Sequence, residues 1–426
     1  MAKPTGSVCN IECDYCFYLE KHKLYPSRQT DWRMDDKTLE RYIQQTIDAQ
    51  DGDYVQFTWQ GGEPMLMGLL FYKKAVRLAK QHANGKRIEH TFQTNGLLIN
   101  DEWCVFFKQH HFLIGISIDG PQYLHDRYRK TRSGKPTHQK VEEGIKLLKK
   151  HGVEFNTLTV INSDNVKHPK EVYQYLKDLG SNYIQFIPLV ERESEGLQQQ
   201  KLRLVLPHES AAKITSWSVP PKAYGRFLSE IFDIWVRRDV GRIFVNMFDS
   251  TLSAWCDAPT SICHLSESCG RAFALESNGD LYCCDHYVYP EYLLGNIHHQ
   301  TINECKSNYL ATEFKNKKQR LTSECQACAY RFACHGGCPK HRFAVSNDGH
   351  PGHNYFCQGY QDFFEHSSMH MQTMRKLVTS GRFADEIMLM IAYQESSKLT
   401  VSNTIARNEQ CPCQSGKKYK RCCGAQ

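Results

Sequence analysis

The placement of cysteine constrains this chain more than any other feature. Nineteen occur among 426 residues, and most fall in short groups. Cys9, Cys13 and Cys16 form C-x₃-C-x₂-C near the amino terminus. Cys325, Cys328, Cys334 and Cys338 form C-x₂-C-x₅-C-x₃-C, with Cys357 beyond them and Cys263, Cys269 and the pair Cys283–Cys284 upstream. A last group, Cys411, Cys413, Cys422 and Cys423, closes the chain. The amino terminus shows no basic segment followed by an apolar run and a cleavage site. No stretch of eighteen apolar residues occurs either, so a cytoplasmic protein without a membrane span is expected. In such a reducing compartment, grouped cysteines mean metal rather than disulfides.

The first group is the most specific. Three thiolates on a [4Fe–4S] cluster leave one iron open to an outside ligand. A structural zinc ion would need a fourth ligand, and no histidine stands at the matching spacing. The later groups are less decisive, because C-x₂-C also suits zinc. Neighbouring side chains on a strand point to opposite faces, so only one of Cys283 and Cys284 can reach a shared ligand. Cys256 competes with Cys263. Cys104, Cys256, Cys283 and Cys305 read as free thiols.

Metal loading also changes the meaning of charge. The formal net charge is +7 with neutral thiols. Three [4Fe–4S]²⁺ clusters on three, four and four thiolates, with one Zn²⁺ on four, would together carry about −7. The loaded protein would then be close to neutral, which makes a nucleic-acid partner unlikely.

Before residue 190 the pattern alternates. Apolar or β-branched runs at 54–59, 112–118, 153–161 and 183–188, and a weaker one at 88–93, are separated by helical patterns at about 35–47, 66–84, 101–110, 138–151 and 169–179. Asp35 or Asp36 is placed to cap the first helix, ahead of Leu39, Tyr42, Ile43 and Ile47 on one face. Such alternation predicts a parallel sheet with helices outside it. With a short strand before Cys9 there are six βα units, fewer than a closed eight-fold barrel needs. The polar stretch 191–222 reads as a linker or a substrate-facing loop. A helix is expected at about 223–238, then a cysteine-rich region with short strands near 272–275 and 281–282. Helix is expected again over 358–395, and a polar linker over 396–408.

Gly61-Gly62-Glu63-Pro64 follows the second strand, QTNG (93–96) the third and SIDGP (117–121) the fourth. Ligand sites of such sheets lie at these carboxyl ends. With CNIECDYC (9–16), these segments resemble the radical S-adenosylmethionine (SAM) superfamily. CNIECDYCFYLEK, WQGGEP, GISIDGP, HDRYRK and CCDHYV narrow the likeness to the anaerobic sulfatase-maturating enzymes, over about residues 1–375. The resemblance implies an α/β protein: a partial (β/α)₆ TIM-like barrel over 1–222, then a helix and a SPASM auxiliary-cluster domain over 223–375. A helical and polar linker follows at 376–408, and a zinc tail at 409–426.

The same resemblance implies roles. Cys9, Cys13 and Cys16 would hold the SAM-binding cluster. Cys263, Cys269, Cys284 and Cys338 would hold one auxiliary [4Fe–4S] cluster, and Cys325, Cys328, Cys334 and Cys357 the other. Tyr15, Gly62, Ser117 and Arg129 match positions that contact SAM, and Val190 stands where a leucine backbone is expected. Tyr18 and Gln60 match positions near the substrate. Asp285 matches the proton acceptor, with a pKa expected to be raised by burial beside an anionic cluster. The implied reaction oxidises a cysteine or serine of a sulfatase C/S-x-P/A-x-R segment to Cα-formylglycine without oxygen. The implied partners are an unfolded or nascent sulfatase and a reductant such as flavodoxin or ferredoxin.

CPCQSGKKYKRCCG at 411–424 resembles the SEC-C motif, in which Cys411, Cys413, Cys422 and Cys423 would close a tetrahedral zinc site. Gln414 replaces the glycine usual there. The minimal maturases lack this tail, so catalysis should not need it. Two other readings fit parts of the pattern: a SPASM maturase of another peptide, and a zinc-rich scaffold with every cysteine structural.

Overall fold

The computed structural model describes residues 1–25, 32–194, 202–205, 209, 212–270, 272–404, 407–413 and 415–425. Six parallel strands form the barrel wall: β1 (Ala2–Lys3), β2 (Tyr54–Trp59), β3 (Arg87–Thr94), β4 (Leu113–Ser117), β5 (Phe155–Ile161) and β6 (Tyr183–Pro188). Between them run α1 (Asp36–Asp48), α2 (Leu69–His82), α3 (Asp101–Gln109), α4 (His138–Lys150) and α5 (Pro169–Asp178). Asp35 caps α1, its carboxylate accepting from the Thr38 amide at 2.7 Å. Leu39, Tyr42, Ile43 and Ile47 are all buried on the side facing the sheet. Each such side chain contributes roughly 1.5–3 kcal/mol by leaving water, so the helical periodicity is itself the docking instruction.

The sheet is larger than the barrel. A seventh parallel strand, β7 (Phe244–Val245), lies beside β6 and was not evident in the sequence. Beyond β1 the order continues through β8 (Ala274–Glu276), β9 (Asp280–Tyr282) and β10 (Leu293–Asn296), making ten strands. The joint is two residues long: Ala2 pairs with Trp59 on one side and Leu275 on the other, and Lys3 pairs with Glu276. The cysteine-rich region is thus hydrogen-bonded onto the barrel's first strand, which brings Cys283 and Cys284, just after β9, to the barrel mouth.

Helix α6 (Pro221–Arg238) packs along α8 (Cys357–Thr379), and α7 (Asn246–Trp255) lies between β7 and the cysteine-rich region. At the crossing of α6 and α8 a side chain on Gly359 would stand 2.1 Å from the Pro221 carbonyl oxygen. The expected helix at 358–395 is two helices, broken at Gly381, where φ is +78°. The second, α9 (Glu386–Thr404), runs into the stretch expected as polar linker. Within 191–222, Arg192–Ser194 and Ala212–Ile214 pair as an antiparallel ribbon rather than lying irregular. The rest of that stretch in part, and Gln414, lie outside the described residues. No helix among the described residues is long and apolar enough to cross a membrane.

Candidate active site

A cavity of about 290 Å³ opens at the carboxyl ends of β1–β6. Its barrel side is lined by Cys9, Cys13 and Cys16, and its far side by Cys263, Cys269, Cys284 and Cys338. Tyr15, Gly62, Ser117, Arg129, Val190, Tyr18 and Gln60 all line the same space. Cys284 and Cys263 face this cavity, whereas Cys283 is 1% exposed within the hydrophobic core and Cys256 is elsewhere. Cys325, Cys328, Cys334 and Cys357 line a separate small cavity with Glu324 and His353.

The cysteine loop is held by backbone. Residues Ile11–Cys13 pair antiparallel with Arg129–Thr131, so Cys13 stands opposite Arg129. The glycine turn after β2 is pinned to the same loop: the Gly62 amide donates to the Gly6 carbonyl at 2.8 Å, and the Glu63 amide to Val8 at 2.9 Å. A methyl group on Gly62 would lie 2.1 Å from the Val8 oxygen, so nothing larger than glycine fits this approach. The buried Glu63 carboxylate takes three donors: the Met65 amide (3.0 Å), the Thr94 hydroxyl (2.9 Å) and the Asn95 amide (2.8 Å). Burial still pushes its pKa up to about 7. The Asn95 side chain also donates to Cys9 Sγ at 3.7 Å.

Asp119 is the hub that the motif reading did not single out. Its carboxylate accepts from Tyr15 Oη, from Arg129 Nε at 2.9 Å and from the Val160 amide at 3.0 Å. Burial opposes the charge on Arg129, and Asp119, Tyr15 and Cys13 together more than restore it. One carboxylate therefore orients two cavity residues, Tyr15 and Arg129. Charged groups line the other side: Lys340 pairs with Glu191, and buried Lys3 lies 4.1 Å above the Tyr18 ring and within 3.4 Å of Gln60 Oε1. Tyr18 donates to Glu276. In sequence these lysines and glutamates sit outside any motif, so only the fold reveals them.

Asp285 directly follows Cys284, and its Oδ1 accepts from Cys284 Sγ at 3.4 Å. Burial raises its pKa, while the adjacent His286, Lys3 from β1 and the thiol hydrogen bond lower it.

The thiols fit iron–sulfur clusters rather than single ions at the cavity. Among the described residues, ligand atoms converge within 4.8 Å in two groups: the tail's Cys411, Cys413, Cys422 and Cys423, and Glu324 with His353 and Cys357. Among the described residues, no three cavity thiols converge within that distance. Burial drives the Cys9 and Cys263 thiols up to about 12 and raises Cys13, Cys16, Cys269 and Cys284 as well. Such thiols ionise when a metal takes the proton's place. In the tail, by contrast, Cys413 Sγ lies 3.3 Å from Cys411 Sγ and 3.4 Å from Cys422 Sγ, a one-ion spacing.

An incomplete parallel barrel with a three-cysteine loop and a glycine turn over one cavity is the architecture of the radical SAM superfamily, whose profile matches residues 4–176. An iron–sulfur cluster-binding SPASM domain matches 263–329, and a SEC-C motif matches 407–425. Iron–sulfur clusters and SAM are the cofactors of this class. Within it, the chain belongs to the anaerobic sulfatase-maturating enzymes. It is 44% identical to the serine-type anaerobic sulfatase-maturating enzyme of Bacteroides thetaiotaomicron, over 91% of this chain and 94% of that one. It is 33% identical to the cysteine-type enzyme of Clostridium perfringens (strain 13 / Type A), over 86% and 95%. The structure of native anSMEcpe with bound AdoMet and Kp18Cys peptide superposes with a TM-score of 0.76 at 32% identity, covering 88% of this chain and 98% of that one. This membership sets aside the scaffold reading and the maturase of an unrelated peptide.

Proposed function

We propose that this protein oxidises a cysteine or serine in a sulfatase C/S-x-P/A-x-R segment to Cα-formylglycine without oxygen. The observation that carries the reading is the single cavity that has the N-terminal trio and glycine turn on one side and four further thiols on the other. Cys9, Cys13 and Cys16 would hold one [4Fe–4S] cluster with an open iron. Cys263, Cys269, Cys284 and Cys338 would hold a second, Cys325, Cys328, Cys334 and Cys357 a third, and the tail a Zn²⁺. When bound, the first cluster and SAM supply a 5′-deoxyadenosyl radical that removes a hydrogen atom from the substrate's Cβ.

The chain's own residues do the rest. Tyr15, Gly62, Ser117, Arg129 and Val190 bind and orient SAM, with Asp119 fixing Tyr15 and Arg129. Tyr18 and Gln60 hold the substrate segment, Gln60 itself being steadied by Gln93 at 2.7 Å. Loss of the Cβ hydrogen makes the neighbouring S–H or O–H far more acidic than in the parent residue. Asp285, between Cys284 and His286 of the cavity wall, would accept that proton. The remaining electron would pass to the cluster that Cys263, Cys269, Cys284 and Cys338 would hold, Cys284 adjoining Asp285; serine then gives the aldehyde directly, and cysteine a thioaldehyde that water hydrolyses with release of H₂S. A flavodoxin or ferredoxin is the fitting reductant for the first cluster.

The test is anaerobic turnover of a sulfatase-motif peptide with SAM and reductant, read by mass spectrometry. Loss of the mass expected for aldehyde formation on the cysteine or serine supports the reading. Formation of 5′-deoxyadenosine with the peptide unchanged refutes it.

A further inference from the structure

Two cations, Lys318 buried and Arg342 half-buried, lie beside the auxiliary thiols of both sets, with no carboxylate among the described residues to balance them. Lys318 is 1% exposed, at the end of the helix Tyr309–Gln319. Its ammonium donates to the carbonyls of His264 and Gly337, each at 2.7 Å. These residues directly adjoin Cys263 and Cys338. Arg342 spends its guanidinium on carbonyls too: Gly336 at 2.9 Å, Lys318 at 2.9 Å, Arg320 at 3.0 Å, His335 at 3.0 Å and Lys317 at 3.1 Å. Among the described residues neither side chain has an acidic partner within ion-pair distance. Buried lysine is rare unless paired, and carbonyl dipoles alone compensate it incompletely.

The loop between Cys334 and Cys338 is shaped for these contacts. His335, Gly336 and Gly337 all have positive φ, +47°, +71° and +64°. This run turns successive carbonyls toward Arg342 and Lys318. Cys334 and Cys338, at its two ends, belong to different sets. Burial pulls the Lys318 pKa down, and Cys338, Cys269 and Cys334 push it back up. Arg342 feels Cys325, Cys338, Cys334 and Cys269 in the same sense. The groups that favour the charge on either cation are thus cysteines of both sets.

We propose that Lys318, backed by Arg342, is a positioning residue for redox: its fixed charge balances both auxiliary clusters and raises their reduction potentials. The proposal rests on the cluster assignment made above. A [4Fe–4S]²⁺ cluster on four thiolates carries about −2, and about −3 once reduced. A nearby cation in a low-dielectric interior favours the more negative state. The substrate radical, after losing its proton, gives up one electron, and one auxiliary cluster gains it. Raising the cluster's potential drives that transfer forward.

The experiment is a redox titration of the anaerobic holoenzyme followed by electron paramagnetic resonance, comparing the parent with Lys318→Gln and Lys318→Arg. The first cluster is told apart by its spectral response to SAM. Iron and sulfide contents are measured on every sample. Lys318→Gln keeps a donor but loses the charge, and both auxiliary potentials should shift to more negative values, with Lys318→Arg staying near the parent. Unshifted potentials in Lys318→Gln at parental iron content overturn the proposal. If Lys318→Gln loses iron, retention of iron in Lys318→Arg supports a charge requirement, and equal loss in both overturns it. A parent with only the SAM-responsive cluster refutes the cluster assignment itself, and the inference with it. Parental auxiliary signals without a potential shift refute the inference alone.

Discussion

Asp285 illustrates how a single residue's chemistry is set by neighbours both beside it and far away in the chain. Its carboxyl is held near 2 by His286 beside it and by Lys3, which arrives on β1. If it accepts the substrate proton, Asp285→Asn should lower formylglycine yield by about 10²-fold or more. 5′-Deoxyadenosine formation should continue, measured in the same anaerobic assay, and near-parental yield with intact clusters would remove Asp285 from the reaction. Asp119 is the second residue-scale case. It is fully buried and pairs with Arg129, itself only slightly exposed. Asp119→Asn strands the guanidinium, at a cost of about 3–5 kcal/mol. The denaturation midpoint should fall, and SAM affinity by calorimetry should fall with it, because Tyr15 loses the same partner.

Among the elements, the close crossing of α6 and α8 supports the whole cysteine-rich region, since α8 begins at Cys357. Gly359 leaves no room there for a side chain. Gly359→Ala should destabilise the fold by about 1–3 kcal/mol through overpacking. The iron content attributable to the Cys325–Cys357 set should drop before that of the N-terminal trio. Iron analysis and differential scanning of the same preparation check both effects. Strand β1 is the other decisive element. It is two residues long and therefore weak as a sequence signal, yet it joins ten strands into one sheet. The barrel strands were legible because burial on their helix-facing side imposes an apolar period. The joint, the extra strand Phe244–Val245 and the ribbon within 191–222 were not, because such short pairings owe their stability to the strands already beside them.

For the molecule as a whole, the tail stands apart from the cavity, with its own four thiols and its own hydrogen bonds between residues 407–411 and 417–420. Zinc removal by a chelator should release about one equivalent of metal from the tail, leaving peptide turnover by the purified enzyme unchanged. Cys422→Ser should do the same, with metal analysis as the readout. Truncation at residue 405, which lies outside the described residues, should also spare purified turnover. Unchanged maturation by that truncated form in cells would count against a role for the tail in catching nascent substrate.

Cysteine spacing and strand–helix alternation were enough to determine the class and the order of the parts, while the sharing of cysteines among metal groups was implied only by the family resemblance. Spacing of ligands and of apolar residues is a local property, and local properties survive in a linear text. The tertiary structure alone decided which of Cys283 and Cys284 faces the cavity, that Asp119 governs Tyr15 and Arg129, and that Lys3 acts on Asp285 from the first strand. It also placed Lys318 and Arg342 between two sets of thiols. These are relations of charge and distance between residues up to hundreds of positions apart. Electrostatics in a low-dielectric interior depends on where groups meet, and that is set by packing rather than by order along the chain.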